Sequence, residues 1–442
     1  MNNDLIARAS ITINTLGGAA IAFVVLFTIS NTMANAVPVS QDLMQRGAYC
    51  ALAGDCIGCH TAPGGQPYAG GKPFTLSVGK IYSTNITPDV ETGIGRYTFD
   101  DFAKVMRQGI AKDGHRLYPA MPYPSYVKVS QEDLSALYAF FMQGIKPEHI
   151  ANHPAHLNWL LGARSYMAVW DALYFKKGEF VADTKKDESW NRGAYLVQGL
   201  GHCGDCHTRR GALGQVKAGN EKDGRKYLAG TIIDNWFASS LRADPGIGLY
   251  AWSKGEIVEY LRTGRTARVA ASDMMAGVID KSTQYLSDTD LMAIAEYLKS
   301  LPPSISKGQR EADSLIQSKA VAATTATLRA GDTVRRGSRV YIDNCSACHG
   351  SDGSGAIRTF PNLVNNEAVN ALDPVSLVHV VLKGSSMPST QTAPSKLAMP
   401  GFGWRLNDTD VAEVLSFVRE GWGNHSKPVS STEIVRVRKT LE

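Results

Sequence analysis

The stretch GHCGDCHTRRG, residues 201–211, sets two cysteines three apart with a histidine directly behind the second. The same arrangement stands in DCIGCHTAPGG (55–65) and in NCSACHGSDGSG (344–355). Six of the 7 cysteines therefore fall into three C-x-x-C-H units: Cys56/Cys59/His60, Cys203/Cys206/His207 and Cys345/Cys348/His349. Composition would yield even one such unit in about one chain in a hundred or fewer. The pattern is built, and some chemistry needs it three times.

Three chemistries compete for it. Paired cysteines and a histidine are zinc ligands, but a structural zinc takes four, and the remaining Cys50 cannot complete three sites. A redox or disulfide-bonded C-x-x-C suits an exported protein, yet leaves the adjacent histidine without a task three times over. Covalent attachment of haem c uses all three residues at this spacing. Two thioethers hold the porphyrin, and the next imidazole becomes the proximal iron ligand. An electron-transfer haem commonly takes a methionine on its other face, and one methionine segment follows each unit: YPAMPYPSY with Met121, ASDMMAGVI with Met274 and Met275, KLAMPGFGW with Met399. The expected ligand pairs are His60 with Met121, His207 with Met275, and His349 with Met399. Met274 and Met387 are their competitors, since any one methionine is more often core filler. His115, His202 and His379 read as satisfied polar residues, and Cys50 as a buried free thiol.

The flanks repeat as well. RGAYCALAGDC from Arg46, RGAYLVQGLGHC from Arg192 and RGSRVYIDNC from Arg336 precede the cysteine pairs. SQEDLSALYAFF from Ser130, SDTDLMAIAEYL from Ser287 and NDTDVAEVLSFV from Asn407 follow the methionines. Each of the latter opens on an N-cap residue, places Asp in a capping-box-like position three residues on, and continues with helical apolar spacing. The unit is helix, C-x-x-C-H, loops, Met and closing helix, used three times. Copies one and two also share YAGG with YLAG, GIGRY with GIGLY, and FAKVMRQG with IVEYLRTG; copy three is more divergent.

A chain of 442 residues has room for roughly three domains. The net charge of +5 is dispersed, with no Lys/Arg block, and argues against a nucleic-acid partner. At the N-terminus Arg8 precedes the apolar run LGGAAIAFVVLFTI, followed by Ala34-Asn35-Ala36. This predicts an export signal over 1–36, the run being shorter than the ~20 residues of a spanning helix. The predicted domains are 40–150, 188–302 and 328–426. Residues 303–327 read as a polar linker and 427–442 as a C-terminal tail. Residues 151–187 form a connecting segment that includes the aromatic LNWLLGARSYMAVWDALYF (157–175), with Trp159, Leu160 and Trp170. That segment suits either packing between domains one and two or a surface for a partner subunit or lipid headgroups.

With these words in place, the chain resembles the triheme cytochrome c subunits of the quinone-linked membrane dehydrogenases of acetic acid bacteria. The resemblance rests on GKIYSTNITPD (79–89), LYPAMPYP (117–124), YAFFMQGIKP (138–147), NRGAYLV (191–197), IDNWFASSLR (233–242) and APSKLAMPGF (393–402), spread over nearly the whole mature chain. The third domain, with APSKLAMPGF and REGWGN (419–424), is most similar to the alcohol dehydrogenase branch. The polar EIVRVRKTLE ending departs from relatives with a C-terminal membrane helix, such as the fructose dehydrogenase cytochrome. The resemblance implies a mainly α fold of three tandem class I cytochrome c-like domains, each with one covalent haem c. It implies electron transfer from a catalytic dehydrogenase subunit (quinoprotein or flavoprotein) to ubiquinone, at the periplasmic face of the membrane. Nothing in the chain is similar to a nicotinamide, flavin or quinone-cofactor fold. Two alternatives are a multihaem peroxidase with one open iron and a freely diffusing periplasmic carrier.

Overall fold

The computed structural model describes residues 40–76, 78–158, 166–304 and 314–441. The expected export signal, together with Trp159 and Leu160, lies outside them. The first repeat runs α1 (Gln41–Ala53), a one-turn helix over Cys56–Cys59, and an antiparallel hairpin of β1 (Pro73–Leu76) and β2 (Gly79–Tyr82). It continues with α2 (Phe99–Gln108) and α3 (Gln131–Ala139), and β3 (His156–Leu157) adds to the open edge of β2. After α4 (Tyr166–Tyr174) comes the second repeat. It comprises α5 (Glu188–Gln198), the turn Gly204–His207, the hairpin β4 (Thr231–Ile233) and β5 (Trp236–Ala238), α6 (Lys254–Thr263), α7 (Asp273–Lys281) and α8 (Asp288–Lys299). The third contains α9 (Ser314–Arg329), α10 (Arg336–Asn344), the turn Ser346–His349, α11 (Val375–Lys383), the hairpin β6 (Gly384–Ser386) and β7 (Ala398–Pro400), α12 (Asp408–Glu420) and α13 (Ser431–Leu441).

One helix crossing is made three times: α1 on α3, α5 on α8, α10 on α12. The Arg-Gly pair that opens each repeat explains it. A Cβ on Gly47 would stand 2.0 Å from the Ala136 carbonyl oxygen, one on Gly193 2.0 Å from that of Ala293, and one on Gly337 2.4 Å from that of Glu413. Only glycine lets the two backbones approach this closely. The arginine before it reaches the Asp at the third position of the facing helix: Arg46–Asp133 at 2.6 Å, Arg192–Asp290 at 2.7 Å, Arg336–Asp410 at 2.8 Å. The N-caps are as expected, with Ser130, Ser287 and Asn407 accepting from the N–H of Asp133, Asp290 and Asp410. The reciprocal half of a capping box is absent from these three helices, because each Asp carboxylate is turned outward to its arginine. Complete boxes are made instead on α2, by Thr98 and Asp101, and on α6, by Ser253 and Glu256.

Repeats one and two share a continuous core, in which Leu134, Leu137, Leu196 and Leu291 are all buried. A reciprocal pair of hydrogen bonds crosses between them. The Tyr195 hydroxyl of repeat two donates to Asp133 of repeat one at 2.5 Å and accepts from the Ser130 N–H at 3.2 Å. The Tyr49 hydroxyl of repeat one donates to Asp290 of repeat two at 2.6 Å and accepts from the Ser287 N–H at 3.1 Å. The two halves are thus joined across a pseudo-two-fold axis. In repeat three the corresponding residue is Arg339, and among the described residues no tyrosine bonds Asp410.

Repeat three has its own core around Tyr341, Val378, Val411 and Trp422, with Phe237 of the second repeat packed against it. Two segments differ from the expected linker and tail. The second half of 303–327 belongs to α9, whose Leu328 is buried in this core and whose Thr324 accepts from the Trp422 N–H. Residues 427–442 contain α13, which buries Ile434 and Val437, while Arg438 bonds Asp408 and the Gly403 and Leu406 carbonyls. The polar letters of EIVRVRKTLE conceal an amphipathic period, and burying its two apolar residues contributes about 1.5–3 kcal/mol each.

Helix α4, within the connecting segment, packs between repeats one and two on one face and leaves apolar side chains exposed on the remainder. Asp171 accepts from Arg116 and Tyr123 at 2.6 Å each, and Trp170 donates to the Leu213 carbonyl at 2.9 Å, so this face ties repeats one and two together. Tyr166, Val169 and Leu173, at helical spacing, are 55, 59 and 65% exposed. Among the described residues no helix is long and apolar enough to cross a membrane.

Candidate functional site

Each C-x-x-C-H unit sits on a single helical turn just after the helix that carries the Arg-Gly pair (α1, α5 or α10), and what surrounds its histidine repeats three times. The His60 carbonyl accepts from the Gly70 N–H at 2.8 Å, that of His207 from Gly230 at 2.8 Å, and that of His349 from Gly355 at 3.0 Å. These glycines have φ of +78°, +81° and +64°, the left-handed region that other residues avoid. A Cβ there would meet the neighbouring backbone: Thr84 C at 2.5 Å, Ser240 N at 2.9 Å, or the Phe360 carbonyl oxygen at 2.2 Å. That neighbouring backbone carries the acceptor for the imidazole. His60 Nδ1 lies 2.7 Å from the Thr84 carbonyl oxygen, His207 Nδ1 2.7 Å from that of Ser239, and His349 Nδ1 3.0 Å from that of Pro361. A carbonyl can only accept, so Nδ1 carries the proton and Nε2 keeps its lone pair for a metal. Burial lowers the pKa of all three imidazoles and so favours their neutral form.

The Pro361 carbonyl belongs to FPNL (360–363) of repeat three, a motif that resembles the one whose proline carbonyl holds the histidine in small cytochromes c. Thr84 and Ser239 escape a residue-by-residue reading, because they contribute only backbone. Their signal is positional: each directly follows a hairpin, β1–β2 or β4–β5, that lays the chain over the histidine.

The donor set fits a covalently attached haem better than the competing chemistries. Among the described residues no group of three or more His, Cys, Asp or Glu side chains gathers as a metal cluster. A redox dithiol needs a lowered thiol pKa. Here burial raises it, for Cys203 and Cys345 to about 12 and for Cys206 to about 11. Cys56 and Cys59 are raised by burial as well. Cys348 is exposed, and Cys50 is a free thiol at 3% exposure.

Met121 is half-buried against the core shared by repeats one and two. Met275 is half-buried beside Ala271, Ala276, Ile279 and Tyr260, whereas its neighbour Met274 is 38% exposed. Met399 lies on β7 opposite Ser385 of β6. Met387 is better buried, at 8% exposure, but it adjoins Pro388, which packs on Gly264 of repeat two, so a structural task accounts for its burial. Of the three histidines expected to be satisfied polar residues, His379 is not: its Nε2 is buried with no hydrogen-bond partner among the described residues. His115 pairs with Asp113, His202 stacks edge-on against Tyr126, and His379 is buried against Trp236.

The sites are neighbours. The Cys56–Cys59 turn packs against α7, which carries Met275. Conversely Ser125, just past Met121, bonds Asp205 between Cys203 and Cys206 at 3.0 Å. Each attachment turn of the first two repeats therefore lies against the other repeat's methionine segment. On its far side α7 also touches β6, the partner strand of Met399. Helix α7 thus touches the first attachment turn, carries Met275 of repeat two and adjoins the hairpin that holds Met399 of repeat three.

Proteins similar to this chain are cytochrome c subunits, and the cytochrome c family model covers its first and third repeats. The family model of cytochrome c matches residues 44–144 and 334–422. The chain is 45% identical over 418 residues to the cytochrome c subunit of alcohol dehydrogenase (quinone) from Gluconobacter oxydans, covering 94% of this chain and 86% of that one. It is 45% identical over 408 residues to the gluconate 2-dehydrogenase cytochrome c subunit of Pantoea cypripedii, covering 90% of each. It is 43% identical over 402 residues to the alcohol dehydrogenase (quinone) cytochrome c subunit of Gluconacetobacter polyoxogenes, covering 90% of this chain and 84% of that one.

Proposed function

Because this chain belongs to the family of cytochrome c subunits of quinone-linked dehydrogenases, we propose that it carries three haems c and passes electrons from a catalytic dehydrogenase subunit to ubiquinone at the periplasmic membrane face. The observation that carries the reading is the thrice-built histidine whose Nδ1 is tied to a backbone carbonyl directly behind a C-x-x-C pair. Covalently bound haem supplies a one-electron iron couple. Cys56/Cys59, Cys203/Cys206 and Cys345/Cys348 would hold it, with His60, His207 and His349 supplying Nε2 and Met121, Met275 and Met399 supplying thioether sulfur to its iron. A thioether favours the reduced iron, which suits a relay that accepts electrons from a dehydrogenase. Reciprocal packing of repeats one and two, and the contact of α7 with β6, keep the three units at fixed separations.

Pyridine haemochrome analysis of the purified protein tests the reading. Three haems per chain are expected; two or fewer would overturn it. Co-purification with a large dehydrogenase subunit, whose substrate then reduces the haem absorbance bands, tests the partner.

A further inference from the structure

A cavity of about 650 Å³ lies where repeats one and two meet under α4, apart from the three C-x-x-C-H histidines and their methionines. This is the size of a small-molecule pocket. Trp170, Leu173 and Tyr174 of α4 line one side, and Phe180 continues that apolar wall. Lys128 lines it as well. Its ammonium donates to the Gly219 carbonyl at 2.6 Å and to Gln198 Oε1 at 3.3 Å, both neutral oxygens. Burial lowers the Lys128 pKa to about 8, against the opposing pull of Asp205, Glu221 and Asp223. Gly204 and Asp205, the two residues between Cys203 and Cys206, also line the cavity. A molecule held there touches the second attachment turn.

The exit matters as much as the walls. Leu173 belongs both to the cavity lining and to the exposed stripe of Tyr166, Val169 and Leu173. The cavity therefore opens beside the one stretch of α4 that offers apolar side chains to the surroundings. Aromatic walls suit a flat ring, a half-buried cation suits a carbonyl oxygen, and an apolar lip suits a hydrocarbon tail that stays in lipid.

We propose that this cavity binds the head group of a quinone, its ring between the aromatic side chains of α4 and the Lys128 side, one carbonyl accepting from Lys128, and its tail leaving past Leu173 into the bilayer. The assignment rests on the reading of the chain as a quinone-linked subunit, and it places the acceptor beside the second of the three units.

Photolabelling tests it. The full haem-loaded chain in detergent is irradiated with an azido-substituted short-chain ubiquinone, and labelled peptides are mapped by mass spectrometry. Label confined to residues 119–128, 166–181 and 198–220, and abolished by excess ubiquinone-1, is expected. Lys128→Met should weaken the competition by about tenfold, the effect of losing one hydrogen bond from a charged donor. Leu173→Glu, at an exposed position that leaves folding alone, should weaken it as well. Saturable label elsewhere, or variants that compete like the parent, overturns the cavity assignment. Reduction of the haem bands by ubiquinol-1, followed in the same samples, separates the two levels. If the bands respond while the cavity stays unlabelled, the functional reading stands and the site is wrong. If neither responds, both fall.

Discussion

Met275 and Met274 are adjacent in sequence and differ in surroundings, which makes them a test at the scale of one residue. Met275 is packed among Ala271, Ala276 and Ile279, and Met274 is 38% exposed. Met275→Ala is expected to lower the potential of one haem in a spectroelectrochemical titration, because a lost thioether no longer favours the reduced iron. Met274→Ala should leave all three potentials in place, and the reverse outcome would exchange the assignment. Asp133 and Asp290 offer a second test. Burial pushes both carboxyls up. The hydrogen bonds they accept, from Tyr195 and Arg46 on Asp133 and from Arg192 and Tyr49 on Asp290, outweigh it and hold both below the ordinary aspartate value. A depressed folded pKa stabilises the fold above the unfolded value of about 3.9, and that stability is lost as the pH falls from there toward the folded values. Denaturant unfolding measured from pH 7 down to pH 3 should show this loss. Tyr195→Phe should cost about 1–3 kcal/mol at pH 7 and make the acid fall shallower.

The three helix crossings set the element scale. Gly193→Ala would drive a methyl group to 2.0 Å from the Ala293 carbonyl oxygen, so α5 and α8 must separate. Overpacking of this kind costs about 1–3 kcal/mol, against a helix-propensity gain of roughly 0.5–1 kcal/mol. A net loss is expected in thermal or urea unfolding, whereas Gly255→Ala, at an exposed position in α6 with only Ser253 Oγ nearby at 3.8 Å, should be neutral or stabilising. The Arg-Gly pair and the capped Asp are both legible in the sequence as repeated words. What the words could not say is that they meet, since residues 46 and 133 are neighbours only after the helices cross. The Cys-Cys-His triples were legible because covalent attachment fixes their local spacing. The Thr84 and Ser239 carbonyls were not, since a backbone acceptor leaves no side-chain mark. Helix α13 was hidden for another reason: only two of its residues are deeply buried, too few to outweigh its charged letters.

For the whole molecule, the outer stripe of α4 predicts how the protein meets the membrane. Replacing Tyr166, Val169 and Leu173 with asparagine should cut co-sedimentation with lipid vesicles by at least about tenfold, roughly 1.4 kcal/mol, with haem content unchanged. Trp170→Phe should keep the protein on the vesicles, because the indole faces Leu213 and Tyr123 within the molecule. Equal sedimentation of the triple variant would assign α4 to interdomain packing alone. The exchange of tyrosines between the first two repeats reaches further. An isologous contact is closed: each half presents one patch, and the other half occupies it. A third copy cannot join such a pair in the same way, and repeat three, with Arg339 where the others have tyrosine, is attached through unlike surfaces such as Arg265 on the Ala393 and Ser395 carbonyls. A symmetric pair capped by an unlike third body has two different ends. The molecule thus acquires a direction from its order of assembly alone.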